Sequence, residues 1–253
     1  MLKTRVIPTL LLEEDSLVKT VKFKKPSYIG DPVNTVRIFN ELEVDELCFL
    51  DIDASKKGYN PRLDILEEIA QECFMPLSYG GGLNDFKTVQ DIFRIGFEKV
   101  VINSMTHVNP NFITKVSEYY GSQAVVVSID VKKSFFGRNS VWSHSGSKDT
   151  KKNPVEWAIE AVEKGAGEVL LTSIDKEGTW SGFDTALVKS VSDAISVPVI
   201  AHGGAGNLDD IGKVVKDAGA SAVALGNMVV YQKKGMGVLV NFPSNDELKR
   251  ILL

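Results

Sequence analysis

The chain is poor in cysteine and histidine and has no long apolar run. It contains two cysteines and three histidines in 253 residues, and Cys48 and Cys73 lack the spacing of a metal-binding pair. We therefore expect two buried, reduced thiols, no metal site and no cofactor. The apolar stretch in MLKTRVIPTLLLEED is too short to span a membrane and lacks a small-residue cleavage site. These absences favour a cytoplasmic protein.

Clusters of uncompensated basic residues are also missing. The 29 Lys and Arg residues are outnumbered by 33 Asp and Glu residues, and the net charge is −4. A nucleic-acid site or a polybasic membrane surface needs clustered positive charge, which the short run of Lys22, Lys24 and Lys25 does not supply. We interpret that run as a solvated loop and expect neither a nucleic-acid nor a membrane partner.

Eight short apolar or β-branched runs alternate with segments of helical periodicity, a pattern typical of repeated βα units. The predicted strands span residues 5–11, 46–51, 75–79, 98–103, 124–130, 168–173, 197–202 and 221–226. The predicted helices span residues 32–43, 61–71, 86–95, 109–119, 154–164, 184–195 and 208–218, with a last one from about 244. Eight such units favour a closed parallel barrel over the alternative, an open doubly wound sheet.

The sequence repeats itself at half its length. PLSYGGGLND…GFEKVVINSM, from Pro76, recurs as PVIAHGGAGN…GASAVALGNM, from Pro198, at an offset of 122 to 123 residues. A fixed offset of this kind indicates duplicated structural units. We predict an α/β fold with one domain over residues 1–253, a single (βα)₈ TIM barrel with an internal half-barrel repeat over about 1–120 and 121–253.

Each half carries a glycine-rich run between a strand and a helix. The runs contain Gly80, Gly81 and Gly82 in the first half and Gly203, Gly204 and Gly206 in the second. The ends of the next strands add Asn103, Ser104, Gly226 and Asn227. Glycine lets the main chain approach an anion, and N–H groups at a helix start can bind it, although tight turns also use glycine for conformational reasons alone. The duplication predicts two phosphate sites, suited to a ligand with a phosphate at each end.

Four charged residues stand at the beginnings of predicted strands: Arg5, Glu46, Lys99 and Glu168. Because side chains alternate along a strand, Lys99 faces the barrel interior if Asn103 does. Two cations and two anions meeting inside a barrel could offset one another's desolvation. The spacing leaves three interpretations open, namely a structural plug, unrelated surface charges and a functional gate.

The motifs together resemble one family over essentially the whole chain, the cyclase subunit of imidazole glycerol phosphate synthase. They are GDPV from Gly30, GGG from Gly80, INS from Ile102, SID from Ser128, GAGE from Gly165, LLTSID from Leu170 and GGAGN from Gly203. The resemblance implies a glutaminase docked at the N-terminal face of the barrel, and ammonia that passes the Arg5, Glu46, Lys99 and Glu168 gate to a bis-phosphorylated substrate at the mouth. It also places Lys19 beside that substrate.

The chain departs from the family at the catalytic acids. The family uses two aspartates across the barrel mouth, at the ends of the first and fifth strands, as general acid and general base. Asp130 matches the second, but Leu11 stands at the position of the first. Leucine transfers no proton, and the loss of such a group typically costs about 10²- to 10⁴-fold in rate. An alternative makes Glu13, Glu14 or Asp15 a substitute acid, so whether the chain is a cyclase-lyase enzyme stays open.

Smaller departures lie nearby. The loop after the sixth strand reads Asp175, Lys176, Glu177 and Gly178 where the family commonly has Asp-Arg-Asp-Gly, and the resemblance assigns Gly178 to phosphate binding. His202 replaces a serine before the second glycine run. Its ring could donate a hydrogen bond to a phosphate or pack at the barrel rim. His107 and His144 have no partner identifiable from the sequence.

Three functions follow from these features. The start TRVIPTLLL resembles cyclase-like proteins of acetamidino-sugar modification, in which a glutaminase and a barrel supply ammonia to a third, ATP-dependent sugar amidotransferase for lipopolysaccharide. The second is an authentic cyclase subunit of histidine biosynthesis, and the third a non-catalytic phosphosugar or nucleotide sensor. The loop 132–153, which includes Phe135 and Phe136, is where we expect acceptor specificity to reside.

Overall fold

The computed structural model describes residues 4–134 and 137–252, so Phe135 and Phe136 of the predicted specificity loop lie outside the described residues. The strands within these ranges are β1 Arg5–Glu13, β2 Ser16–Val21, β3 Lys24–Gly30, β4 Leu47–Asp51, β5 Leu77–Gly80, β6 Lys99–Ile102, β7 Val125–Lys133, β8 Asn139–Ser143, β9 Lys148–Asp149, β10 Glu168–Ser173, β11 Val199–His202 and β12 Ala222–Leu225.

Eight of these strands form a closed parallel barrel. The order around the barrel is β1, β4, β5, β6, β7, β10, β11 and β12, and β12 pairs with β1 to close it. Each barrel strand overlaps a predicted one, and β10 has the predicted bounds. The predicted (βα)₈ fold is therefore confirmed, and the open sheet was the wrong alternative.

Helices cover the outside of the barrel. In the described residues they are α1 Pro32–Glu41, α2 Ala54–Lys57, α3 Leu63–Glu72, α4 Phe86–Arg94, α5 Ser104–Val108, α6 Asn111–Tyr120, α7 Pro154–Glu163, α8 Thr185–Ser192, α9 Leu208–Ala218, α10 Asn227–Val230 and α11 Asn245–Leu252, with a 3₁₀ turn over Ser122–Ala124. In the parts of the chain described, none is long and apolar enough to cross a membrane.

Two antiparallel hairpins at the mouth were not predicted. β2 and β3 follow β1, and β8 and β9 follow β7. All three of Lys22, Lys24 and Lys25 are exposed, as predicted, and Lys22 lies in the hairpin turn; the loop interpretation was wrong for Lys24 and Lys25, which begin β3. Lys22 and Phe23 have φ angles of 55° and 59°, a turn conformation usually signalled by Asn or Gly. The sequence lacks that signal.

The apolar core has two parts. Most of it lies between the barrel and the helices, where side chains such as Phe39, Tyr79 and Trp157 are fully buried, each stabilising the fold by about 1.5–3 kcal/mol. A smaller cluster fills the barrel interior and consists of Ile7, Cys48, Val101, Val126, Leu170, Ile200, Ala222 and Ala224. Both thiols are free, but only Cys48 is buried; the expectation for Cys73 was wrong, because it is only partly covered at the end of α3.

The repeat is visible in the local structure of the two halves. β5 and β11 coincide at an offset of 122 residues, and the helices after them begin at the caps Asp85 and Asn207 at the same offset. Each cap side chain accepts a hydrogen bond from the main-chain N–H three residues later. Such caps typically contribute about 1 kcal/mol. Asn103 and Gly226 also share an unusual conformation, with φ, ψ of −121°, −81° and −99°, −99°.

Candidate functional site

The four charged residues at the bottom of the barrel form a closed ring of ion pairs. Arg5 Nη1 lies 2.6 Å from Glu46 Oε2, and Arg5 Nη2 lies 2.9 Å from Glu168 Oε1. Lys99 Nζ completes the ring, 3.1 Å from Glu46 Oε2 and 3.2 Å from Glu168 Oε1. Cation and anion alternate, so the four are not unrelated surface charges.

Pairing offsets the cost of burying this ring. The side chains of Glu46, Glu168 and Lys99 are 5%, 12% and 16% exposed, and isolated ions so covered would each lose several kcal/mol of hydration. Burial lowers the pKa of Arg5, but the neighbouring carboxylates of Glu168 and Glu46 raise that pKa above its ordinary value overall. One carboxylate oxygen, Glu168 Oε2, is buried with no partner among the described residues.

The half-barrel repeat explains part of the ring. Glu46 and Glu168 are equivalent at the offset of 122 residues. In strand register, Arg5 pairs with Ala222, the repeat equivalent of Lys99. Likewise Val100 pairs with Val125, which sets Lys99 beside Ala124. Ala124 therefore occupies, next to Lys99, the position that Arg5 occupies next to Ala222. The two glutamates therefore follow the half-barrel repeat, whereas Arg5 and Lys99 each have an alanine at the equivalent position.

A small cavity of about 10 Å³ lies above the ring inside the barrel. Its lining includes Glu46 of the ring together with Thr9, Cys48, Ser78 and Val101. Burial raises the pKa of the Cys48 thiol to about 12, so this thiol is neutral at physiological pH. The lining is mostly apolar.

A larger cavity of about 170 Å³ opens at the mouth and shares Val101 with the small one. The predicted mouth and loop residues that line it include Leu11, Lys19, Gly80, Gly81, Gly82, Asn103, Ser104, Asp130 and His202. The second-half residues Gly178, Gly203, Gly204, Gly226 and Asn227 do not line it. The structure thus brings the first glycine run and the acid together, and sets the second run apart.

The second glycine run lies under neighbouring loops. Gly204 accepts a 2.9 Å hydrogen bond from the Gly182 N–H, and Asn227 Nδ2 donates to the Gly178 carbonyl at 3.3 Å. Gly203 and its repeat equivalent Gly81 have φ angles of 90° and 123°, which side chains other than glycine rarely adopt. This conformation accounts for the glycines at both positions with or without a bound anion.

Asp130 is held by neighbours at the end of β7. Asn103 Nδ2 donates to Asp130 Oδ2 at 2.9 Å, and Ser128 Oγ donates to Oδ1 at 3.3 Å. Burial raises the pKa of Asp130 to about 7, against the opposing effect of hydrogen bonds from Ser128 and Thr172. A carboxyl near half-protonation at neutral pH can either donate or accept a proton. The amide of Asn103, predicted to bind phosphate, is here directed at this acid.

Leu11 is 7% exposed and lines the same cavity as Asp130. Of the three proposed substitute acids, Glu13 also lines that cavity, and its pKa is raised by partial burial and by Asp53, the carboxyl with which it interacts. Glu14 is exposed in the hairpin turn, and Asp15 accepts a hydrogen bond from Ser16; neither of these two lines the cavity. Glu13 as a substitute acid therefore stays a prediction.

Lys19, on β2, and His202, at the end of β11, lie together at the mouth. Lys19 Nζ donates to the Thr9 carbonyl at 2.5 Å, and burial lowers the pKa of Lys19 to about 8 although Glu177 opposes that shift. His202 Nδ1 lies 3.1 Å from Thr172 Oγ1. Burial and the charge of Lys19 lower the pKa of His202 to about 3, so the imidazole is neutral. A β-carbon at Gly226 would lie 3.0 Å from Lys19 Nζ.

Sequence reasoning missed several polar residues of the mouth. Asp51, the last residue of β4, accepts hydrogen bonds from the Asp53 and Ala54 N–H groups and from Tyr59 Oη. Glu177 accepts from the Phe23 N–H at 3.1 Å. Their position after barrel strands was the available signal. His107 stacks on Trp157, and His144 Nδ1 lies near Ser143 Oγ, so neither histidine joins the site.

A closed (βα)₈ barrel with glycine-rich turns and a buried acid at the C-terminal ends of its strands defines an α/β-barrel protein with its candidate site at the mouth. Residues 5–235 match the histidine biosynthesis protein family, and the chain belongs to that family.

Three curated relatives are similar to the chain over nearly its whole length. The chain is 47% identical over 248 residues to a Pseudomonas aeruginosa protein provisionally named imidazole glycerol phosphate synthase subunit hisF2, covering 98% of this chain and 99% of the relative. It is 44% identical to the similarly named HisF of Leptospira borgpetersenii, with 98% of each covered, and 43% identical to hisF3 of Vibrio vulnificus, with 100% and 97% covered. The predicted resemblance to the cyclase subunit is confirmed.

Proposed function

We propose that this barrel pairs with a glutaminase and conducts ammonia to its mouth for acetamidino modification of a surface-polysaccharide sugar. The observation that carries the proposal is Leu11, which shares the mouth cavity with Asp130. The bottom retains every charge that a gate would need, whereas the mouth retains one acid of the two that a cyclase would need.

The bottom of the barrel supports docking and transfer. The charge-neutral ring of Arg5, Glu46, Lys99 and Glu168 sits at the N-terminal face, where the glutaminase would release ammonia. Above it the cavity lining is largely apolar, an environment that favours neutral ammonia over ammonium. A shift of one ring contact would open the route without exposing an unpaired ion.

The mouth supports loss of the original reaction. Asp130, with a pKa of about 7, can hold or release one proton, but a cyclase-lyase divides donation and abstraction between two groups. Leu11 supplies neither. Ammonia would therefore leave the mouth for a third partner, an ATP-dependent sugar amidotransferase, in the cytoplasm. The glycine runs would retain a phosphorylated small molecule as a binding partner.

The second candidate is an authentic imidazole glycerol phosphate synthase cyclase subunit of histidine biosynthesis. One observation favours it, the intact hydrogen bonds to Asp130. Purified barrel with a glutaminase distinguishes the two functions. Formation of imidazole glycerol phosphate at a family-like rate would overturn our proposal.

The deciding experiment is affinity purification from the native cell, scored for a glutaminase and for a sugar amidotransferase. We expect both. We also expect glutamine hydrolysis to rise on complex formation, and Lys99→Ala to uncouple hydrolysis from ammonia use, with the exposed Lys249→Ala as the matched control. A barrel that stimulates no glutaminase would instead be a sensor of phosphorylated ligands.

A further inference from the structure

Lys19 stands between the two cavities of the barrel. Its side chain is buried, with 3% exposure, and its ammonium donates to the Thr9 carbonyl. Thr9 lines the small lower cavity, and Lys19 lines the mouth cavity above it. The thiol of Cys48, also in the lower cavity, is close enough for the charge of Lys19 to affect its pKa, although burial dominates that pKa. The route from the ring to the mouth therefore passes the Lys19 ammonium.

We propose that Lys19 is a stopper at the upper end of the barrel passage, closed while its ammonium donates to the Thr9 carbonyl and withdrawn when an anionic ligand, such as a phosphate, binds in the mouth. The purpose of the stopper, to retain ammonia until an acceptor is present, rests on the proposed function. Its position and its response to an anion rest on geometry alone.

An anion in the mouth would compete directly for the ammonium. The acceptor that Lys19 uses now is a neutral carbonyl, and a hydrogen bond from an ammonium to a phosphate is stronger because both partners are charged. The glycine turn that ends at Gly82 faces the same cavity as Lys19. A phosphate bound at that turn would therefore draw the side chain upward, away from Thr9.

Lys19 can move without the hairpin that carries it. Lys19 lies on β2, which pairs with β1, and its neighbours Val18 and Thr20 are buried. The hairpin turn is fastened to the loop after β10 by two hydrogen bonds, from the Lys22 N–H to the Glu177 carbonyl at 3.0 Å and from the Phe23 N–H to Glu177 Oε2 at 3.1 Å. The hairpin therefore stays in place, and only the hydrogen bond from Lys19 Nζ to the Thr9 carbonyl has to break.

Cys48 provides a reporter beneath the stopper. In a Cys73→Ser background, the rate at which the small neutral reagent methyl methanethiosulfonate modifies Cys48, followed by mass spectrometry, measures access to the passage. We expect Lys19→Ala to raise this rate about tenfold or more, and Lys19→Met, which keeps the side-chain length, to raise it less. Loss of the positive charge alone would raise the pKa of the thiol and slow the reaction, so acceleration reports access.

Inorganic phosphate tests the switch itself. Phosphate should accelerate the modification of Cys48 in the parent, the Cys73→Ser protein that keeps Lys19. It should leave the rate unchanged when Lys19→Ala is added. Lys24→Ala, an exposed lysine on the same hairpin, should behave like the parent. Equal rates, within about twofold, for Lys19→Ala and the parent, or no response of the parent to phosphate, would overturn the stopper.

Two further readouts keep the result interpretable. Circular dichroism and urea unfolding would show whether Lys19→Ala is folded, and if it is not, Lys19→Met and the phosphate response of the parent decide. Failure of the barrel to stimulate a glutaminase would refute the proposed function without affecting the Cys48 rates. Normal ammonia transfer with unchanged Cys48 rates would refute only the stopper.

Discussion

At the bottom of the barrel two cations and two carboxylates contact one another, whereas at the mouth the Asp130 carboxyl shares a cavity with the apolar Leu11 side chain. At the bottom, each charged group lies in ion-pair contact with two groups of opposite sign. At the mouth, burial shifts the pKa of Asp130 up to about 7 and the pKa of Lys19 down to about 8. The bottom is therefore a network of ion pairs, and the mouth holds groups that can change charge near neutrality.

The largest expected effect comes from restoring the missing acid. Leu11→Asp should raise the rate of imidazole glycerol phosphate formation by about 10²-fold or more, since general acid–base groups typically contribute this much. Ammonium salts can supply ammonia in this assay, so no glutaminase is needed. Leu11→Asn, similar in shape but unable to transfer the proton, is the matched control. An inactive Leu11→Asp variant would mean that the mouth differs from a cyclase in more than one residue.

The ring at the bottom should show the next largest effect, on stability. Glu46→Ala leaves Arg5 and Lys99 with one carboxylate between them, and breaking a buried pair typically costs about 3–5 kcal/mol. Urea unfolding measures the change in the free energy of unfolding. Asp193→Ala, which breaks an exposed pair with Lys189, should cost less than about 1 kcal/mol. Similar costs for the two variants would show that the ring is not a buried network.

The last expected effect is a pH dependence of stability that comes from Asp130. Its pKa of about 7 in the folded protein exceeds the ordinary 3.8, so between pH 4 and 7 the folded state binds the proton more tightly, and the free energy of unfolding falls as pH rises. Asp130→Asn removes this loss and should be stabilised more, relative to the parent, at pH 8 than at pH 4. The contribution of His202 is the same in both proteins and cancels. A stability difference independent of pH would contradict the raised pKa.

Local patterns in the sequence determined much of the fold but less of the mouth. Strand–helix alternation predicted every barrel strand, because each unit signals itself within a few residues. The hairpin that carries Lys19 gave no signal, since Lys22 and Phe23 form its turn without glycine or asparagine. The contact between Lys19 and Thr9 depends on how that hairpin folds back over β1. The ion pairs of the ring could not be predicted either, because they depend on the register of strands that lie far apart in the chain.

The way the ring follows and breaks the repeat limits how this barrel could be assembled from halves. The first half contributes Arg5, Glu46 and Lys99, and the second contributes Glu168 with alanines at the equivalent positions 124 and 222. Two copies of the first half would enclose a net charge of +2, and two copies of the second a net charge of −2. Only a barrel made of one half of each kind has a ring with no net charge. The halves are therefore complementary in charge at the ring, and a symmetric assembly of either half alone would leave that ring with a net charge.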